Sequence, residues 1–145
     1  MIIKELNVPE KTLVDIKELR EFLRIDSDVF DENLNQSLKA AITEFENRTN
    51  RILVKNNYEI SFFNERVVLA PFNSLENAQF KAEFKTNSNV LYCEGSGRMI
   101  VSLGYDIAPE DIKLWLKNYC LHAFENTNFP NVSKALINRY KITFF

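Results

Sequence analysis

Apolar and polar positions change period twice along the chain, dividing it into a helical third, a stranded third and a second helical third. Ile16, Leu19 and Leu23 share one stripe, and Asp15 with Glu18 three positions on forms a capping-box-like start for the first helix. A polar break, IDSDVFDEN, leads into a longer helix from Phe30 to Asn50, where Leu34, Leu38, Ala41, Ile42 and Phe45 recur at helical spacing. Its other face carries Glu32, Gln36, Lys39, Glu46 and Arg48. After Asn56 and Asn57 the period falls to two: Tyr58, Ile60 and Phe62 face one way, and Glu59, Ser61 and Phe63 the other. A second short strand, Val67 to Leu69, ends at Pro71, and Phe80, Ala82 and Phe84 alternate with Lys81, Glu83 and Lys85 in a third. Val90 to Cys93 and Met99 to Tyr105 complete the strands, with EGSGR between them as a turn.

Connections this short favour antiparallel pairing. Pro109, Glu110 and Asp111 then open a helix whose broad apolar face holds Ile112, Trp115, Leu116, Tyr119, Cys120 and Ala123. NTNFPN ends it. A short last helix, Val132 to Arg139, turns Val132, Ala135 and Leu136 inward before the apolar close YKITFF. The expected fold is α+β: a bundle of about four helices with an antiparallel β-sheet inserted between the second and third. Helices span 15–50 and 109–139, the β insert 57–105 and a terminal tail 140–145, all in one domain.

Composition narrows the function more than the fold. With 145 residues, 46% hydrophobic and 26% charged, the chain suits one core that needs neither metal nor disulfide staples. Three Gly and four Pro exclude collagenous and low-complexity classes, and twelve Phe with five Tyr exclude disorder. So many aromatics are generous for one core, which reserves some for neighbours in an assembly. A net charge of −2 argues against a generic nucleic-acid binder, whose affinity rests on clustered Lys and Arg. Cys93 and Cys120 lack paired spacing, so a reducing compartment is expected. MIIKELNVPEKTLVD has no apolar leader core and no run approaches the ~18 apolar residues of a membrane span, so the chain is expected to be soluble and cytoplasmic when made.

Catalytic constellations fail one by one. His122 lies two residues after Cys120, which sends the side chains about 200° apart on a helix. One His and two distant thiols make no metal motif, and no cofactor is implied. Gly95, Ser96 and Gly97 match neither phosphate-loop pattern. Asp26 with Asp28, and Glu110 with Asp111, already have a structural reason beside helix starts. Arg66, Lys81, Lys85 and Arg98 read as the wet face of a sheet.

Three segments together resemble the head-tail connector, or adaptor and head-completion, proteins of long-tailed bacteriophages. The opening LVDIKELREFLRIDSDVFDENLNQSLKAAITEFENRTNRIL has the Leu23-Arg24-Ile25-Asp26 step after a short helix and the Thr49-Asn50-Arg51 step after a longer one. VSLGYDIAPEDIKLWLKNYCLHAFENT is similar to the family's Gly-Tyr strand end, Pro-Glu-Asp helix start and aromatic-Glu-Asn helix end, and ALINRYKI to its terminal helix. FNSLENAQFKAEF departs most from the pattern.

The resemblance implies a non-enzymatic virion protein at the head-tail junction, assembled in the host cytoplasm. Such proteins form a homo-oligomeric ring of about twelve subunits under the portal protein. The ring extends the DNA channel and offers a docking surface to the next head-completion or tail protein. A mildly acidic subunit suits a channel through which DNA slides without specific binding. Ring contacts are heterologous, and their candidates are Glu32, Gln36, Lys39, Glu46 and Arg48 on one long helix and Lys113, Lys117 and His122 on the other. The terminal segment, with Tyr140, Ile142, Phe144 and Phe145, is expected to dock on the portal or a neighbouring subunit, or else to fold back on its own core. A small cytoplasmic α+β interaction module, a regulator or immunity-type protein acting as monomer or dimer, is the competing reading.

Overall fold

The computed structural model describes residues 1–9, 12–127 and 134–142, and the side chains of these except 80–84. The chain is α+β, in the order β1 (Ile2–Glu5), α1 (Ile16–Leu23), α2 (Asp31–Thr49), β2 (Asn56–Leu69), β3 (Phe72–Asn87), β4 (Val90–Leu103), α3 (Glu110–Glu125) and α4 (Lys134–Tyr140). The sheet is therefore not simply an insertion between α2 and α3: its edge strand β1 precedes the first helix. The antiparallel sheet runs β1-β2-β4-β3. Two compact units result, one of the strands with residues 50–106 and one of the four helices.

In the helical unit Val14, Leu19, Leu34, Leu38, Ala41, Phe45, Ile112, Trp115, Leu116, Cys120 and Ile137 are buried. The Phe45 ring meets Trp115 edge-on at 5.1 Å, and Trp115 stacks on Tyr119 at 5.7 Å. These rings hold apolar area out of water in geometries aromatic pairs favour. Three helix-level expectations are corrected. Asp15 is the N-cap of α1 but its side chain makes no capping bond, and Glu18 points to α3 instead of back to the cap. Ala123 is exposed, since the apolar stripe of α3 narrows over its last turn, and in α4 Ile137 is the buried residue while Ala135 is exposed. Val132 lies outside the described residues.

In the sheet unit the five expected strands merge into three long ones, and β1 is a fourth strand that the pattern did not predict. EGSGR is not a turn: Glu94, Gly95, Gly97 and Arg98 pair with β2 inside β4. The run Val67 to Leu69 is likewise the second half of β2, which carries one extra residue between Phe62 and Glu65. Asn64 sits there at φ 49°, its N–H donating to Ser96 Oγ over 2.8 Å. That bulge flips the side-chain parity, so Tyr58, Ile60 and Phe62 before it and Val67 and Leu69 after it reach the same core.

The strands also fold over. Leu69 pairs with Leu91 at one end of β4, and Phe72 with Leu103 at the other. A flat strand would put those ends roughly 40 Å apart. Three residues of chain reach at most about 11 Å. β4 must turn back, and both its ends bond the same link: Phe72 N–H donates to Asn89 O (2.7 Å) and Gly104 N–H to Pro71 O (3.0 Å). Alternation puts Gly95 and Gly97 on the same face as Leu91, Cys93, Met99, Val101 and Leu103. The sheet thus encloses its own core.

One end is closed by main chain. Tyr105 N–H donates to Leu53 O (2.9 Å), Ile52 N–H to Ala70 O (2.9 Å) and Tyr58 Oη to Val54 O (2.7 Å). A Cβ on Gly104, at φ 99°, would fall on the Val54 carbonyl. The tight β-turn is Ser88-Asn89, both at positive φ, joining β3 to β4.

Candidate interaction surfaces

On α2 the spacing that buries Leu34, Leu38, Ala41 and Phe45 leaves Glu32, Gln36, Lys39 and Arg48 exposed and Glu46 half-buried. Arg48 Nε bonds Glu44 Oε1 at 2.6 Å, one turn earlier. This row faces solvent, as the sequence pattern predicts. The α3 candidates sit differently. Lys113 and Lys117 keep only 17% and 14% of their side chains exposed, and their ammonium groups reach Glu18 of α1 at 3.0 and 2.7 Å. The hydrogen bond from Lys117 leads in holding the Glu18 carboxyl below its ordinary value, against a smaller desolvation effect and with help from Lys113. Lys117 also lies over the Phe22 ring at 5.7 Å. These lysines clamp α1 to α3 within the helical unit. His122 is half-buried at the C-terminal turn of α3, its Nδ1 2.6 Å from Thr127 Oγ1.

The terminal candidates divide as well. Tyr140 donates its hydroxyl proton to Asp111 (2.8 Å to Oδ1) and rests 6.1 Å from the Phe45 ring, so it serves its own helices. Arg139 reaches the same Asp111 at 3.2 Å. Ile142 is half-buried, its carbonyl accepting from Asn50 Nδ2 over 2.8 Å. Phe144 and Phe145 lie outside the described residues.

Two surfaces were not anticipated by the sequence reading. At one, Phe30 and Phe124 meet edge-to-face at 5.5 Å while 41% and 43% exposed, with Val29 at 78% beside them. The sequence did place Phe30 at a helix start and Phe124 at a helix end, yet an apolar residue there commonly packs as a staple. Its exposure depends on which elements lie over it. The other is a recess of about 370 Å³ on the sheet unit, lined by Arg66, Val67, Val68, Lys85, Tyr92, Cys93 and Glu94. Lys85 stands 5.9 Å over the Tyr92 ring, and Arg66 pairs with Glu94 at 3.3 Å. Alternating Lys, Arg and Tyr on the outer face of the strands was the available signal.

Burial pushes the Cys93 thiol up to about 11 and the Cys120 thiol up to about 12, so both stay protonated and inert. Among the described residues no three His, Cys, Asp or Glu side chains gather as metal ligands, and no helix is long and apolar enough to cross a membrane.

No protein-family model matches the chain, and no curated protein matches it. Solved structures do. A chain from the neck of an empty gene transfer agent particle, computed with C6 symmetry, superposes with a TM-score of 0.75 at 17% identity, covering 100% of this chain and 97% of that one. A chain of the native gene transfer agent virion gives 0.75 at 16% identity, and one from the native neck computed with C12 symmetry gives 0.74 at 16%, both over the same shares. At such identities the likeness is one of fold.

Proposed function

We propose that this protein is a structural, non-enzymatic neck component of a phage-like particle: a head-tail connector that assembles as a ring under the portal. The observation that carries the reading is the likeness of fold to neck chains over the whole length, which joins the connector-like motifs already present in the sequence. Symmetric necks in those particles support a homo-oligomeric ring of about twelve subunits. In this reading the whole chain acts as one connector domain. The ring extends the DNA channel without gripping DNA, in keeping with a net charge of −2, and presents a surface to the next head-completion or tail protein. Assembly takes place in the host cytoplasm and the finished protein resides in the virion.

Glu32, Gln36, Lys39, Glu46 and Arg48 supply the solvent-facing row for neighbour contacts, with His122 at the end of α3. Lys113 and Lys117 contribute by fixing α1. The tail beyond Tyr140 docks on the portal or the neighbouring copy.

The test is size. Mass photometry of the chain alone and mixed with the portal protein of the same particle is expected to show ring-sized species at least in the mixture. A particle that stays monomeric in both conditions overturns the reading and favours a small interaction module. Deleting residues 141–145 is expected to abolish portal binding; retained binding with a lowered melting temperature would assign the tail to the protein's own core.

A further inference from the structure

Among the described residues, two surfaces combine exposed apolar and charged groups: the Phe30–Phe124 pair with Val29 on the helical unit and the Tyr92 recess on the sheet unit. They differ in charge. Exposed Asp26, Asp28, Glu32 and Glu125 lie around Val29, Phe30 and Phe124 in sequence, with Arg24 as the nearest cation along the chain. The recess is concave, with Val68 and Tyr92 as its apolar outer-face lining, and carries Arg66 and Lys85 against a single Glu94. Its volume of about 370 Å³ falls in the range of sites that take small organic groups. An exposed apolar centre inside a charged rim is the usual anatomy of a protein contact.

We propose that the Phe30–Phe124 pair of one copy seats in the recess of a second copy. Val29 and the Phe30–Phe124 pair enter against Tyr92 and Val68, and the carboxylates of Asp28 and Glu32 approach Lys85 and Arg66. The two faces are different, so the contact is heterologous: each copy offers Phe30–Phe124 to one neighbour and a recess to the other, the kind of contact from which rings are built when the rotation between copies closes. This deepens the connector reading, on which it rests, by naming a junction between subunits outside the α2 row. Apolar burial supplies the affinity, and the charged rims set orientation and make association fall with added salt.

The experiment uses two full-length variants, Val29→Cys and Glu94→Cys, oxidised separately and as a mixture at high protein concentration. Native Cys93 and Cys120 are buried and do not compete. A disulfide-linked dimer formed only in the mixture is the expected result. Lys85→Glu is expected to weaken association about tenfold with unchanged melting, and Glu32→Lys on the other copy to restore it. Ring-sized species without the cross-link overturn this junction and leave the connector reading standing. A cross-linked pair that never grows past a dimer, even with portal, supports the junction and overturns the ring. Monomer without cross-link, both alone and with portal, overturns both.

Discussion

The helical unit and the sheet unit bury cores of similar chemistry and secure them at different levels of structure. Among the helices the closing contacts are side chain to side chain: Phe45 on Trp115, Arg20 Nε to Asp31 Oδ1 at 3.0 Å, Glu18 under two lysines. In the sheet they are mostly main chain to main chain, with strands that fold back past the bulge between Phe62 and Glu65 and an end sealed where Gly104 passes Val54. The helical unit should therefore yield to changes of side-chain volume or charge and tolerate changes of backbone type. The sheet unit should do the reverse.

Gly104→Val tests the sheet half of that contrast most severely. The new side chain meets the Val54 carbonyl and Lys55 nitrogen, which are backbone and cannot step aside, at a φ that L residues rarely adopt. A loss of about 4 kcal/mol or more is expected from urea denaturation followed by far-UV circular dichroism. Hydrogen exchange should show lost protection in β4 and residues 52–58. A loss under 1 kcal/mol would mean that the crossing is not what closes the sheet.

Phe45→Ala is the matching blow to the helices. Phe45 is fully buried between the Trp115 and Tyr140 rings, and a Phe→Ala change in a core costs about 3–5 kcal/mol. The lower figure is expected, because two large rings can lean into the space. Trp115 is the sole tryptophan, so its fluorescence reports the helical unit directly.

Glu18→Gln removes charge and keeps shape. It takes the carboxylate from two largely covered ammonium groups, for an expected loss of about 1 kcal/mol after solvent screening. The pH dependence follows from the sign of the shift. Lys117 and Lys113 hold the folded-state value below the ordinary 4.5, so the stabilisation is complete above that ordinary value. It disappears as pH falls through the lowered folded value. Wild type and Glu18→Gln should differ at neutral pH and converge in acid. A constant gap across the titration would assign the effect to packing.

The same contrast explains what the sequence could reveal. The helices were readable to within a residue or two, Phe30 to Asn50 against Asp31–Thr49, because their stripes are local and each buried face answers to a period within one segment. The long strands were cut short because a bend is a property of paired strands. Asn64 is an extra residue only relative to Ser96 across the ladder, and the Gly95–Gly97 segment looks like a turn until β2 is seen to run past it. The parity switch from Tyr58, Ile60 and Phe62 to Val67 and Leu69 was the legible trace of that bulge. β1 left less trace: all four of its residues are exposed, and only the open edge of β2 makes Ile2–Glu5 a strand. Of the candidate surface, the α2 row was legible from the stripe it opposes. The turn of Lys113 and Lys117 toward Glu18, and the exposure of Phe30 and Phe124, depend on how helices lie against one another, which no single stripe encodes.

The smallest effect is the one most diagnostic of the contrast. Arg24 ends α1 in the left-handed region at φ 59°, its N–H bonding Glu21 O, a position that glycine occupies without strain. In the helical unit such backbone strain is local and exposed, so Arg24→Gly should relieve it at the expense of a more mobile unfolded chain. The net should be a gain of less than about 1 kcal/mol, seen as a small rise in the Trp115 fluorescence midpoint. Gly95→Ala makes the opposite exchange inside the fold of β4, at φ 132°, and should lower the midpoint followed by circular dichroism. If both substitutions moved stability in the same direction, backbone type would matter equally in the two units, and the division between side-chain and main-chain closure would fail.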